Sequence, residues 1–139
     1  MTPRDQERLY EREYAKELLA IAQADFESAK MLAKATAKST LGRKENVIFL
    51  VQQSIEKAVK AALCWHRRPI PFVHDLGILV AKLPDNITPP EGYNLSHLNE
   101  YATVRRYEKG RFQISSKDVS VTLALGKKVL DWAKLEMEK

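Results

Sequence analysis

The sequence has little cysteine and no long apolar run. Both features limit the classes of protein to which it can belong. One cysteine, Cys64, occurs among 139 residues. It cannot form a disulfide within the chain, which favours a reducing compartment. No run of about 18 apolar residues occurs, so we expect no transmembrane helix. The charged first residues are unlike a secretory signal, and we therefore expect a cytoplasmic protein.

Glycine and proline are also scarce, with five and six copies, and they fall between periodic segments. This punctuation is typical of a helical protein. Hydrophobic residues make up 45% and charged residues 29% of the chain, which excludes a fully disordered protein. The length predicts one domain, residues 1–139. The net charge of +5 weakly favours an anionic partner such as a nucleotide or RNA.

Apolar residues recur at intervals of three and four, which is typical of amphipathic helices. No segment alternates convincingly at period two. We predict an all-α, up-and-down bundle of about four to five helices. The predicted helices run from Thr2-Pro3-Arg4-Asp5 to Gly42, from Lys44 to His66, from Asp75 to Leu83, from Leu95 to Arg106, and from Ser115 or Ser116 to the last residues.

The second predicted helix carries polar residues in the middle of an apolar run. Its apolar stripe contains Ile48, Val51, Ile55, Val59 and Ala62. On the opposite side lie Gln52, Gln53, Glu56, Lys57 and Lys60. Polar groups at the centre of a buried helix need partners. Water, a second subunit or a ligand could supply them.

No arrangement typical of a metal or cofactor site is present. The histidines at 66, 74 and 97 are scattered, without ligands at metal-binding spacing. There is no glycine-rich phosphate loop and no nucleophile signature. We therefore predict no cofactor and no metal, and we interpret Cys64 as a small buried hydrophobe.

Two basic clusters, Arg67-Arg68 and the segment Arg105 to Arg111, are candidate phosphate sites. A guanidinium group can bind phosphate through two hydrogen bonds, and Tyr107 could stack on a base. The same cations could instead complement the dipole at a helix C-terminus. His74 could act as an acid or base, or it could only form a hydrogen bond at a helix start.

An ordered set of segments resembles the HEPN family of small helical domains of bacteria and archaea. The segments are QQSIEKAVKAAL at 52–63, a proline-bearing connector, HDL at 74–76 and YATVRRY at 101–107, followed by a long terminal helix. The resemblance covers about Tyr14 to Leu135. It implies a helical bundle that pairs as a homodimer and binds nucleotides or RNA. It also implies a minimal nucleotidyltransferase partner in a toxin–antitoxin system.

The matching segments indicate which residues would form a site. The candidate catalytic residues are His74 and Arg106. The candidate ligand-binding residues are Gln53, Glu56, Lys57, Lys60, Asp75, Arg105 and Tyr107. We hypothesise that Glu56 and Lys60 contact the HDL turn and an arginine of the RRY segment. The three helices would then surround one partly buried polar site.

Three functions remain open from the sequence. The first is a binding module for a nucleotide, RNA or the nucleotidyltransferase. The second is a metal-independent ribonuclease toxin, in which His74 is the general acid or base and Arg106 or Arg68 stabilises the phosphorane. The toxic HEPN members carry an arginine followed shortly by a histidine, whereas no histidine follows Arg105-Arg106 here. The third is a non-catalytic dimeric scaffold.

Overall fold

The computed structural model describes residues 6–38, 42–102 and 114–139. The first part of the chain forms strand β1 (Glu7–Arg8), helix α1 (Tyr14–Lys38) and helix α2 (Lys44–Trp65). Strand β2 (Ile70–Pro71), helix α3 (Leu76–Ala81), a 3₁₀ helix (Gly92–Ala102) and helix α4 (Ser116–Glu136) follow. The predicted all-α fold class is confirmed, and a two-stranded antiparallel sheet of β1 and β2 is added to it. Within the described ranges, no helix is both long and apolar enough to cross a membrane.

Helix α2 lies at the centre of the bundle. Its apolar residues are not restricted to one stripe, since Val47 and Leu63 are as fully buried as Val51 and Ile55. A helix that is apolar on most of its faces is stable only when other elements cover it. Helices α1 and α4 pack against α2 and against each other, while the 3₁₀ helix covers α2 elsewhere and contacts α3. Consequently, the polar side chains in the middle of α2 are buried or partly buried.

The predicted boundaries of α2 and the start of α4 are confirmed. The side chain of Ser115 accepts a hydrogen bond from the backbone N–H of Asp118, and the Asp118 carboxylate accepts one from the N–H of Ser115. This reciprocal pair is a capping box. The Asp118 pKa lies below its ordinary value chiefly because the backbone N–H and the side chain of Ser115 stabilise its carboxylate.

Two other predictions about the helices were wrong. No helix runs unbroken from the predicted start into α1, because Glu7–Arg8 form a strand that pairs with Ile70–Pro71, and α1 begins at Tyr14. Two paired residues per strand are too few to produce a period of two in the sequence. The proposed start at residues 2–5 lies outside the described residues.

The fourth predicted helix is a 3₁₀ helix and begins at Gly92, not at Leu95. Its inward side chains, Leu95, Leu98 and Tyr101, are spaced by three residues and pack against the core. A 3₁₀ helix has about 3.0 residues per turn, so this spacing places all three on one side. An α-helix would rotate them progressively away from α2.

Candidate functional site

The HDL corner, which we define as His74, Asp75 and Leu76 with Glu56 and Lys60 beneath them, joins α2 to α3. Glu56 is 2% exposed. Its two carboxylate oxygens lie 3.1 and 3.2 Å from Nδ1 of His74. The Lys60 ammonium donates to Glu56 Oε2 at 3.2 Å. The contact expected between Glu56 and the HDL turn is therefore present, and a buried carboxylate bridges a lysine and a histidine.

Within the described ranges, the His74 imidazole has a hydrogen-bond partner on one side, at Nδ1. Its side chain is 76% exposed, whereas the Glu56 side chain is 3% exposed. A carboxylate accepts hydrogen bonds, so the neutral imidazole that pairs with it carries its proton on Nδ1. Nε2 of that tautomer is a hydrogen-bond acceptor, and none of the described residues donates to it. The corner thus presents an oriented imidazole to solvent.

Asp75 has a structural role in the corner. Its Oδ1 accepts hydrogen bonds from the backbone N–H groups of Gly77 and Ile78, at 2.8 and 3.2 Å, and caps α3. Asn99 donates to the same oxygen at 3.1 Å and accepts from the N–H of Leu76 at 2.9 Å. These bonds join the HDL turn to the 3₁₀ helix and fix the backbone that directly follows His74.

An exposed aromatic ring lies beside the HDL corner. A Cβ atom added to Gly77 would lie 2.8 Å from Cε2 of Tyr93, so the absence of a side chain at 77 lets the ring approach the turn. Tyr93 is 69% exposed. An exposed aromatic ring beside the first turn of α3 is a surface on which a planar ligand can stack.

The other polar residues named in the middle of α2, Gln52, Gln53 and Lys57, form a second cluster with Asp25 of α1. The Lys57 ammonium donates to Asp25 at 2.8 Å and to Gln53 at 3.1 Å. Gln53 in turn donates to Oε1 of Gln52 at 2.7 Å. Gln52 is fully buried, and its Nε2 has no partner within the described part of the chain. This cluster lies between two helices and joins α2 to α1.

The predicted site residues therefore separate into three groups. Glu56, Lys60, His74 and Asp75 lie together at the HDL corner. Gln53 and Lys57 belong to the α1 cluster. Arg105, Arg106 and Tyr107 lie outside the described residues. Arg68, the alternative arginine, is exposed in the connector after α2.

Sequence reasoning missed three participants: Asp25, Tyr93 and Asn99. Asp25 had a signal, because it is an acidic residue next to Phe26 in the apolar periodicity of the first helix. Tyr93 and Asn99 had no such signal, because Tyr93 falls in a predicted loop and Asn99 in a predicted α-helix. Their roles depend on how the 3₁₀ helix docks against the HDL turn.

Across residues 6–38, 42–102 and 114–139, no group of three or more histidine, cysteine, aspartate or glutamate side chains could hold a metal ion. Cys64 is 1% exposed and unpaired, as predicted for a small buried hydrophobe. Burial raises the pKa of its thiol, and the thiol donates to the carbonyl of Glu11 at 3.2 Å. A buried thiol with a raised pKa is a poor nucleophile.

The family model described as "HEPN domain" matches residues 15–137. The chain belongs to the HEPN domain family. The match extends from the start of α1 to the end of α4 and includes the HDL corner. Membership supports a helical protein associated with nucleotides or RNA. No curated protein and no solved structure matches the chain.

Proposed function

We propose that this HEPN protein is a non-catalytic binding module that takes a nucleotide or single-stranded RNA at the HDL corner. The observation that carries the proposal is the exposed His74 imidazole, which the buried Glu56 carboxylate orients at 3.1 Å. Buried carboxylates are costly to retain, so one that holds a surface side chain in a fixed position is consistent with a binding role.

The corner offers two contacts that suit a nucleotide. The exposed Tyr93 ring provides a flat apolar face, and base–aromatic stacking is worth about 1–3 kcal/mol per base. In the Nδ1-protonated tautomer, Nε2 of His74 accepts a hydrogen bond from a donor such as a ribose hydroxyl or a base amino group. Lys60 is 15% exposed and paired with Glu56, so it contributes mainly to the electrostatic potential at the HDL corner. Arg105, Arg106 and Tyr107 stay as predicted ligand contacts.

We further propose that the protein acts in the cytoplasm as a homodimer with a minimal nucleotidyltransferase in a toxin–antitoxin system. Family membership supports this partnership, and the single buried thiol fits a reducing compartment. Sequencing of the neighbouring reading frames and co-purification with any encoded nucleotidyltransferase test it. Light scattering of the protein alone tests the homodimer.

A ribonuclease is the second candidate, and the exposed His74 imidazole is the observation that favours it. This nitrogen would take the proton of a 2′-hydroxyl while O2′ attacks the adjacent phosphorus. The bond to the 5′ oxygen would then break, and that oxygen would take up a proton, leaving a 2′,3′-cyclic phosphate. Glu56 would balance the positive charge that develops on the imidazole.

One experiment separates the two candidates. Purified protein in chelator is mixed with a fluorescein-labelled single-stranded RNA, and both anisotropy and strand length are measured. The binding module predicts saturable binding without cleavage. We expect His74→Ala and Tyr93→Ala each to weaken binding about fivefold or more, because each removes a ligand contact. The matched control, His97→Ala, removes an exposed histidine of the 3₁₀ helix and should leave binding unchanged.

Two outcomes would change this conclusion. Chelator-resistant cleavage that disappears in His74→Ala would replace the binding module with the ribonuclease. Equal affinity of wild type, His74→Ala and Tyr93→Ala would remove the HDL corner as the site.

A further inference from the structure

A cavity of about 350 Å³ lies between the last turns of α1 and the first turns of α4. Lys44, the first residue of α2, closes it on a third side. The described lining residues are Lys30, Ala33, Lys34, Ala37, Lys44, Ser116, Val119, Ser120 and Leu123. Lys44 precedes Glu56 by 12 residues along α2. That separation is about 18 Å at 1.5 Å per residue, so the cavity is distinct from the HDL corner.

Small side chains on both helices keep this cavity open. Ala33 and Ala37 on α1 oppose Ser116 and Ser120 on α4, and each pair is spaced by four residues and so shares one helix face. The same interface is tight one or two turns further along. There, a Cβ atom on Gly126 would lie 3.2 Å from the Phe26 ring. The helices therefore meet closely at Gly126 and leave a gap towards the end of α1.

The charges around the cavity have one sign. Three of the lining residues that the structure describes are charged, and all three are lysines. The Lys30 ammonium lies 3.2 Å from Glu27 at the surface. In the parts of the chain that the structure describes, no ion pair involves Lys34 or Lys44.

The nearest carboxylate on α4 is already engaged. Asp118 accepts a hydrogen bond from the backbone N–H of Ser115 at 2.9 Å and is committed to the helix cap. The floor between the lysines is apolar, formed by Ala33, Ala37, Val119 and Leu123. An apolar floor with lysine cations at its rim matches a ligand that has an apolar body and a negative group.

We propose that this cavity binds a small organic anion. The aromatic or aliphatic body would lie on the floor, and a phosphate or carboxylate group would contact Lys34 and Lys44. The volume is within the range of small-molecule sites, about 300–1,000 Å³. The proposal is independent of the function assigned to the HDL corner, because it depends on different residues.

The test uses three probes that separate the contribution of the ligand's apolar body from that of its negative charge. 1-Naphthyl phosphate carries both, 1-naphthol carries only the body, and inorganic phosphate carries only the charge. Each is titrated into ¹⁵N-labelled protein at low salt. We expect saturable binding of 1-naphthyl phosphate, with amide shifts concentrated at 33–37 and 116–123. 1-Naphthol and inorganic phosphate should bind at least tenfold more weakly.

Two variants and two matched controls assign the site. Lys34→Gln with Lys44→Gln should weaken 1-naphthyl phosphate binding at least fivefold, and Ala33→Leu should fill the cavity and abolish binding. Lys38→Gln and Ala35→Leu change exposed residues of the same helix outside the cavity and should bind as wild type does. Thermal unfolding of each variant confirms that it is folded.

Three results would overturn the proposal. They are equal binding of 1-naphthol and 1-naphthyl phosphate, unchanged affinity in the double lysine variant, and shifts at 33–37 that depend on protein concentration without any probe. The third result would show that a second copy of the chain covers the cavity.

Discussion

At the scale of single residues, the neighbours Glu56 and Lys57 have different roles. Glu56 contacts His74, whereas Lys57 contacts Asp25 on α1. Successive residues of an α-helix are about 100° apart around the axis, so adjacent polar residues on a central helix reach different neighbours. The polar residues in the middle of α2 therefore contact two different elements.

Part of this division could be predicted from the sequence. The spacing of Glu56 and Lys60 predicts that they share a face, and the HDL segment suggested a partner for them. The pairing of Lys57 with Asp25 depends on the rotation of α1 about its own axis. Sequence spacing within α2 carries no information about that rotation.

Replacing Glu56 with alanine should destabilise the protein by about 1–3 kcal/mol, because the largely buried Lys60 ammonium and Nδ1 of His74 both lose their acceptor. Urea unfolding followed by circular dichroism measures this loss. Glu13→Ala, which removes an exposed pair with Lys16, should change stability by no more than about 0.5 kcal/mol. Equal stability of Glu56→Ala and wild type would show that the corner is solvated surface.

At the scale of elements, Gly126 sets the distance between α4, α1 and α2. A Cβ atom at this position would lie 2.8 Å from Cγ1 of Val51 and 3.2 Å from Cε1 of Phe26. Val51 is β-branched and fully buried, so it has little freedom to move. The glycine is needed for close approach of the helices.

Gly126→Ala should therefore destabilise the protein, against the usual preference of helices for alanine. Alanine favours a helix by about 1 kcal/mol over glycine. Overpacking a core typically costs about 1–3 kcal/mol and should outweigh that gain. Differential scanning calorimetry should show a lower Tm, and a higher Tm would mean that α4 shifts away from Val51 without loss.

The sequence predicted α2 and α4 closely and the 3₁₀ helix poorly, for a physical reason. Long helices repeat their apolar pattern over several turns, and α4 also carries a capping box. The 3₁₀ helix has only the spacing of Leu95, Leu98 and Tyr101, which also suits part of an α-helix. Packing against α2 and α3 decides between the two forms.

At the scale of the whole molecule, the beginning and end of the fold are joined at one place. Arg12 donates to the carbonyls of Trp65 and Lys139, at 2.9 and 3.3 Å, and its guanidinium lies 3.6 Å from the Trp65 ring centroid. His66 lies 3.0 Å from the buried Glu136. These contacts join the residues before α1 to the ends of α2 and α4.

Glu136 makes this junction dependent on pH. Burial alone would raise its pKa, but hydrogen bonds from Lys139 and His66, together with their charges, bring the pKa below its ordinary value. A carboxyl group with a depressed pKa in the folded state adds stability above its unfolded pKa. That stability is lost as the pH falls through the folded pKa.

We therefore expect wild type to lose more stability than Glu136→Gln as the pH falls from about 6 to about 3, a range that spans the ordinary titration of glutamate. Urea unfolding of both proteins at each pH gives the difference in their free energies of unfolding. The effects of carboxyl groups that both proteins share cancel in this difference. Parallel pH profiles would show that the charge of Glu136 adds nothing to the junction.

The central claim is that the ligand binds where Glu56 orients His74, and backbone NMR tests it most directly. ¹⁵N-labelled protein is titrated with a short single-stranded RNA, and the amide shifts are mapped on the sequence. The account predicts saturable shifts concentrated at 56–60, 74–78 and Tyr93. Saturable amide shifts confined to other segments, or no amide shifts at all, would contradict it.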